Sequence, residues 1–238
     1  MAAEATPSFL YLPELPGRGS RIELPLADAH YVARVCRARV GEQVEATDGR
    51  GALAVLRLTR VRGEVVAEVV SITREEPRRQ AWVLCGPPEG ERADWLVEKL
   101  AELGILRFVP VDCDRAAWTR ARGRRARWGR LAVAALRQSR RLHLMAVDEP
   151  VRLEQALAEL PTQATRWLAE ASGAAPRLEG SGPAGLAVGL VGPAGGLADG
   201  ERELALREGF LPVCLSDARL RAETAALAWG VWWSGARG

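Results

Sequence analysis

Three runs near the amino terminus, Val44–Asp48, Leu53–Thr59 and Val65–Ile72, are rich in β-branched residues and broken by Asp48-Gly49 and Arg62-Gly63. That pattern predicts a small β-rich module with one short helix between Leu26 and Arg39. The texture changes at Gln80. Ala81–Cys85 predicts a strand, and Glu91–Leu103 carries Ala93, Leu96, Val97 and Leu100 at helical spacing before Gly104. Strands are then expected at Leu106–Val111, Trp167–Ala169, Leu186–Val191 and Leu211–Leu215. Helices are expected at Arg122–Arg141, Leu153–Leu160, Asp199–Glu208 and Ala222–Trp233. Alternation of this kind predicts an α/β domain with a mostly parallel sheet. The expected organisation is a module over residues 1–73, a linker over 74–79 carrying Pro77, and a second domain over 80–238.

Composition narrows the classes of function. The hydrophobic share is 48% and the charged share 26%, an ordinary globular balance. The longest apolar runs, Leu186–Leu190 and Ala225–Trp233, are too short or too glycine-interrupted to span a bilayer. Nothing resembles a secretory signal, so the expected compartment is the cytoplasm. Cys36, Cys85, Cys113 and Cys214 are scattered and predict free, mostly buried thiols. With only His30 and His143 beside them, no metal site is expected. His30 reads as a structural histidine.

Net charge is +3, so the distribution of charge matters more than its sum. Lys99 is the sole lysine. Arg115, Arg120, Arg122, Arg124, Arg125, Arg127, Arg130, Arg137, Arg140 and Arg141 crowd one stretch, interleaved with Trp118 and Trp128, and no acidic residue interrupts it. A solvated helix face is the plain reading. Nucleic acid is the reading that relieves the self-repulsion.

Three short segments invite chemistry. GSGPAG (Gly180–Gly185) matches a dinucleotide-binding pattern, but it precedes a strand where that pattern should follow one. GPAGG (Gly192–Gly196) directly follows the strand Leu186–Val191. It reads as a turn or as a backbone cradle for a ligand at the strand ends. LRAETAAL (Leu220–Leu227) puts Glu223 in the first turn of the last helix, where it complements the helix dipole whatever else it does.

The order of these pieces resembles the RsmE family, which methylates uridine N3 in 16S ribosomal RNA. In the module, HYVARVCRARVGEQVEATDG (His30–Gly49) is similar to the family's histidine-to-Asp-Gly stretch, with Val35, Arg37, Gly41, Asp48 and Gly49 in place. GERADWLVEKLAELG (Gly90–Gly104) keeps Arg92, Lys99, Glu102, Leu103 and Gly104 of a second motif. LRQSRR (Leu136–Arg141) resembles a third, keeping Gln138, Ser139 and Arg141. WLAEAS, GPAGGLADGE and LSDARLRAETAAL align with the cofactor-side segments.

The resemblance implies a PUA-like β-barrel domain ahead of a SPOUT domain with a trefoil knot, a homodimer, and S-adenosyl-L-methionine as the only cofactor. It assigns cofactor contacts to Leu168, Ala169, Glu170, Val191, Gly192, Pro193, Gly195, Gly196, Leu215, Ser216, Leu220 and Ala225. Arg37, Arg115, Arg124, Arg125, Gln138 and Arg141 are expected to contact RNA of the small ribosomal subunit. Arg221 is expected to stabilise charge on the target base, and Glu223 to orient Arg221 or the base. The alternatives are a knotted methyltransferase with another RNA target, or an inactive RNA-binding relative.

Several positions depart from the family pattern. Ala194 and Arg137 replace glutamates, Arg140 and Ser216 replace glycines, and Ala218-Arg219 replaces Arg-Ile. Pro7-Ser8-Phe9 stands where an arginine usually precedes the aromatic residue.

Overall fold

The structure, a computed structural model, describes residues 8–77, 79–89, 91–119, 123–175 and 185–235. Pro7, Gly90, Arg120 and Arg122 lie outside the described residues, as does GSGPAG except for Gly185. The chain divides into two compact units, Met1–Pro77 with Leu136–His143, and Arg78–Ala135 with Leu144–Gly238.

The first unit is a curled five-stranded sheet. Its strands are β1 (Phe9–Tyr11), β2 (Arg21–Glu23), β3 (Gln43–Thr47), β4 (Ala52–Arg60) and β5 (Val66–Arg74), in the order β1-β3-β4-β5-β2. Only β1 pairs in parallel, with β3. Alternation along β4 sends Ala54, Leu56 and Leu58 into a core with Leu10, Val32, Val44 and Val69. One short helix, α1 (Leu26–His30), runs into a π-helical turn over Tyr31–Val35. His30 is exposed, so it does not serve as a buried structural histidine.

Asp48 organises the β3–β4 turn. It accepts hydrogen bonds from the amides of Arg50 (2.7 Å) and Ala52 (3.1 Å) and from the Arg74 guanidinium (3.0 Å). Burial pushes its carboxyl up, but these donors outweigh it and hold the group below the ordinary range. Leu136–His143 joins this unit through the Thr47 hydroxyl, which donates to the Leu142 carbonyl, and through pairs from Arg137 to Asp28 and Arg140 to Glu45.

The second unit is a parallel sheet covered on both faces. Its strands are β6 (Gln80–Cys85), β7 (Arg107–Asp112), β8 (Ala146–Val147), β9 (Val151–Arg152), β10 (Thr165–Ala174), β11 (Leu186–Val191) and β12 (Leu211–Val213). The order is β12-β10-β11-β6-β7-β8, with β9 also on β7, and every pairing is parallel. The helices are α2 (Ala93–Leu103), α3 (Arg125–Ser139), α4 (Leu153–Ala158), α5 (Asp199–Arg207) and α6 (Ala222–Gly235). The last residues of α3 cluster with the first unit.

Neighbouring residues of β6 face opposite layers, as strand period requires. Val83 and Cys85 pack with residues of α2, α3 and α6, and Leu84 packs with those of α4 and α5. Gly104 ends α2 with φ +82°, and the Ile105 amide reaches back to the Leu100 carbonyl at 3.1 Å. The chain places β12 outside β10 and then returns along α6 to pack against β10, β11, β6 and α2. That doubling back is what the expected knot requires.

Trp118 and Trp128 are buried and meet Phe108 edge to face in the core. They are core aromatics and offer no stacking surface for bases.

Candidate functional site

Parallel strands end on the same side of a sheet, and the loops leaving them converge there. Ala169 of β10 lies opposite Val191 of β11 and Val213 of β12. β11 and β12 end at that line, and β10 becomes irregular just past it, its pairing with β12 shifting register between Ala169 and Ala174. The loops enclose a cavity of about 620 Å³ within the second unit. Its volume falls in the range of small-molecule sites, about 300–1,000 Å³.

The cavity wall contains Leu168, Ala169 and Glu170 from β10. It contains Val191, Gly192, Pro193, Gly195 and Gly196 from the GPAGG segment, and Leu215, Ser216, Leu220 and Ala225 from the β12–α6 region. All the residues expected at a cofactor thus line one cavity, and Arg221 lines it too. Much of the wall is glycine and alanine, which exposes peptide groups to an occupant. Gly86 lets the GPAGG loop approach β6, since a Cβ there would lie 2.5 Å from the Pro193 nitrogen. Gly196 closes the turn at φ +73°, with its amide on the Pro193 carbonyl.

Two ion pairs brace this frame. Glu170 accepts both arms of Arg202, at 2.5 and 3.0 Å, which ties β10 to α5. The Arg202 guanidinium holds the Glu170 carboxyl below the ordinary range. Glu201 is buried and bridges two segments: its carboxylate accepts from the amide of Ala198 (2.7 Å) and from that of Asp114 (2.8 Å). The loop so held carries Arg115, whose Nη1 donates to the Gly195 carbonyl at 2.9 Å. An expected RNA contact therefore also braces the GPAGG loop.

Glu223 is not beside Arg221. It is fully buried and its Oε1 accepts from Arg92 Nη1 at 2.5 Å, while Oε2 is buried with no partner. Arg221 precedes α6, is exposed, and lies 3.6 Å from the exposed Glu89. Positions two apart at a helix start face different ways, so the expected orientation of Arg221 by Glu223 is corrected. Arg92, Glu89, Glu170's partner Arg202, and Glu201 were not among the expected site residues. Arg92 belongs to the segment GERADWLVEKLAELG, and nothing local to that segment marks the buried carboxylate it meets.

The other expected RNA contacts are exposed. Arg37, Gln138 and Arg141 belong to the first unit, and Arg115, Arg124 and Arg125 to the second. Arg125 donates to the Val147 carbonyl at 3.1 Å. The arginine run is relieved by acids from elsewhere in the chain. Arg127 pairs with Asp94 at 2.7 Å, Arg137 with Asp28 at 3.2 Å, and Arg140 with Glu45. Self-repulsion along the run is thus weaker than the sequence implies.

Cys85 and Cys113 are buried, Cys214 is half-buried and Cys36 is exposed. Burial pushes the Cys113 thiol up to about 12 and the Cys85 thiol higher, so both are unreactive. Among the described residues, no cluster of three His, Cys, Asp or Glu side chains could hold a metal, and no helix is long and apolar enough to cross a membrane.

A family model described as an RNA methyltransferase domain matches residues 74–234, and one described as an RNA methyltransferase PUA domain matches residues 25–76. Ribosomal RNA small subunit methyltransferase E of Mycobacterium bovis is 29% identical over 237 residues, covering 92% of this chain and 87% of the relative. The Bacillus subtilis protein of the same name is 27% identical over 216 residues, covering 84% of each. Among solved structures, a ribosomal RNA small subunit methyltransferase E from Neisseria gonorrhoeae bound to S-adenosyl methionine superposes with a TM-score of 0.86 at 29% identity, covering 97% of this chain and 98% of that one. A probable rRNA-methyltransferase from Porphyromonas gingivalis gives 0.81 at 26% identity, over 96% of this chain and 97% of that one. The first unit is thus PUA-like and the second has the SPOUT methyltransferase fold.

Proposed function

Because the chain belongs to the RsmE family of RNA methyltransferases, we propose that it methylates N3 of a uridine in small-subunit ribosomal RNA with S-adenosylmethionine as donor. The observation that carries this reading is the single cavity lined by all three loops that the resemblance assigns to the cofactor.

The wall suits that cofactor. Its glycines and alanines offer peptide donors and acceptors to an adenine edge, and Glu170 offers carboxylate oxygens to ribose hydroxyls. When bound, S-adenosylmethionine supplies a methyl group on a positively charged sulfur. The residues around it have to align the target nitrogen with that methyl and exclude water. Loss of the N3 proton leaves negative charge on the uracil ring. Arg221 is the group at the rim that stabilises it. Its exposed pair with Glu89 is worth only about 0–1 kcal/mol, so the guanidinium is readily released toward a base. Glu223 is a positioning residue, anchoring Arg92 and the start of α6. Arg115 acts on the other side, holding the GPAGG loop while facing RNA.

A homodimer is part of the same reading. Trp95 of α2 and Val231 of α6 are large apolar side chains left exposed, and such a contact would cover them. The same reading has the enzyme act in the cytoplasm, where its ribosomal substrate is made.

The test uses small ribosomal subunits from a strain deleted for the gene. Purified protein with S-adenosylmethionine should generate 3-methyluridine, detected by nucleoside mass spectrometry. Arg221→Ala should slow transfer about 100-fold or more while the fold stays intact. Retention of 3-methyluridine in 16S ribosomal RNA of the deletion strain would refute the reading.

A further inference from the structure

We propose that Arg219 receives the carboxylate of the methyl donor, so that this chain selects its donor by the charge at the amino-acid end. The inference rests on the reading that the cavity holds S-adenosylmethionine. It adds a residue that the family pattern does not supply, since isoleucine stands at this position there.

The charges of the cavity wall point to that residue. Among the described residues, the charged side chains of the wall are Glu89, Glu170, Arg202, Arg219 and Arg221. All but one are matched. Arg202 holds Glu170 through two hydrogen bonds, and Arg221 lies 3.6 Å from Glu89. Arg219 is left over. Among the described residues it pairs with no carboxylate, and its hydrogen bond from Nη2 to the Ala194 carbonyl is 3.5 Å long, at the limit for such a contact. A guanidinium has five N–H donors and no acceptor, so most of its capacity is open. The wall therefore carries one uncompensated positive charge.

The backbone fixes where that charge stands. β12 ends at Val213, and the chain turns before α6 begins at Ala222. In the turn the Ser216 hydroxyl accepts from the Ala218 amide at 3.1 Å, and the Cys214 thiol donates to the Ser216 carbonyl at 3.0 Å. These bonds shape the loop without help from Arg219. Asp217, the acid closest in sequence, is not part of the wall. The Arg219 side chain reaches across to the GPAGG loop, so its guanidinium stands between two of the loops that form the cavity.

The chemistry of the donor selects the group that meets it. Adenine is neutral, ribose offers hydroxyls, and the sulfonium and ammonium are cations. The carboxylate is the donor's single anion. A planar guanidinium matches it with two parallel N–H donors. An RNA phosphate is the competing anion, but it has to be brought by a second ligand. The carboxylate arrives on a molecule that the rest of the wall already holds, which raises its effective concentration at Arg219.

The test is calorimetry on the full chain with S-adenosylmethionine and with its decarboxylated form, two ligands that differ in that one group. Wild type should bind S-adenosylmethionine about tenfold or more tightly than the decarboxylated form. Arg219→Ile installs the residue of the family pattern and should lose about tenfold in affinity for S-adenosylmethionine. Its affinity for the decarboxylated form should hold or rise, because that ligand is purely cationic and no longer faces a like charge. Arg219→Lys keeps the charge without the fork and should fall between wild type and Arg219→Ile for S-adenosylmethionine. A residue that only shapes the loop would shift both ligands alike.

Parallel losses for both ligands in Arg219→Ile would therefore overturn the proposal. So would unchanged affinity for both with weaker binding of small ribosomal subunits, which would assign Arg219 to a phosphate. Equal affinity of wild type for the two ligands sinks this inference and leaves the cavity reading standing. Failure of wild type to bind either ligand sinks the cavity reading and this inference with it.

Discussion

The Arg92–Glu223 pair makes a quantitative prediction about coupling. Glu223 is fully buried, while the Arg92 side chain is about half exposed at 49%. The two single deletions are therefore unequal. Removing Glu223 deletes one charge-assisted hydrogen bond, worth about 1.5–3 kcal/mol, and a favourable acid at the start of α6, worth about 0.3–1 kcal/mol. The arginine left behind can turn to water. Glu223→Ala should then cost about 2–3 kcal/mol. Removing Arg92 instead strands a carboxylate in the core, where Oε2 already has no partner, and should cost about 3–5 kcal/mol. Once Glu223 is gone there is nothing to strand, so the double variant should cost no more than Arg92→Ala alone. The assay is guanidinium unfolding followed by tryptophan fluorescence. All eight tryptophans belong to the second unit, so that signal isolates the unit in which the pair sits. Additive losses, with a coupling under about 0.5 kcal/mol, would refute the reasoning.

Further expectations follow from the same packing. A Cβ on Gly189 would lie 2.5–2.8 Å from ring atoms of Trp229, so Gly189→Ala should overpack the core and destabilise the second unit by about 1–3 kcal/mol in the same assay; an unchanged midpoint contradicts that contact. Arg115→Ala removes the guanidinium bond to the Gly195 carbonyl and should raise the calorimetric dissociation constant for S-adenosylmethionine about five- to tenfold, whereas undiminished affinity would show that the loop holds itself. Asp48 has its carboxyl held below the ordinary value of 3.8, so its stabilisation is complete above that pH and is lost as pH falls through the lowered value. Circular dichroism unfolding should show wild type losing stability below about pH 4, and Asp48→Asn should start less stable at neutral pH and vary less in that window. Parallel curves would remove Asp48 from the acid response.

What the sequence carried depended on whether a residue's neighbours were local. β11 has the bounds that its apolar run predicts, and α2 ends at the glycine that marks it. Both signals are complete within a few residues. β10 was expected only over Trp167–Ala169, and it extends over Thr165–Ala174. Glu170, Ser172 and Gly173 carry no strand pattern, and their extension is held by β12, where the Cys214 amide meets the Ala174 carbonyl at 2.8 Å. The strands β1, β2, β8 and β9, of two or three residues, show no period, whereas β12, also of three residues, lies within the apolar run Leu211–Leu215 that marks it. The cofactor segments were legible for a related reason. The task proposed for them falls on backbone, and small residues at the ends of apolar runs are the local mark of such a role. The partner of Glu223 was not legible, because Arg92 lies 131 residues away and nothing local marks the pair.

The departures from the family pattern can be weighed on the same footing. Arg137 stands where the resemblance expects a glutamate, and it faces Asp28, whose carboxyl burial pushes up and Arg137 partly restores. Its guanidinium also lies 5.3 Å from the Tyr31 ring centroid. Arg140 stands where a glycine is expected, at φ +56°. A left-handed arginine costs about 1–2 kcal/mol relative to a backbone region it prefers. Here the cost is offset by the pair with Glu45 and by the Phe9 ring at 5.1 Å. Each substitution has acquired partners inside the first unit. Ala194 differs, since it lines the cofactor cavity and its carbonyl faces Arg219 at 3.5 Å. Arg219 is itself a departure, standing where the family pattern has isoleucine. The missing carboxylate of one loop and the added guanidinium of the next thus meet at the cavity mouth. Together they shift local charge in the positive direction, toward an RNA phosphate or the carboxylate of the methyl donor. The Arg137 and Arg140 changes lie inside the first unit, while Ala194, Ser216, Ala218 and Arg219 all line the cavity and bear on what it binds.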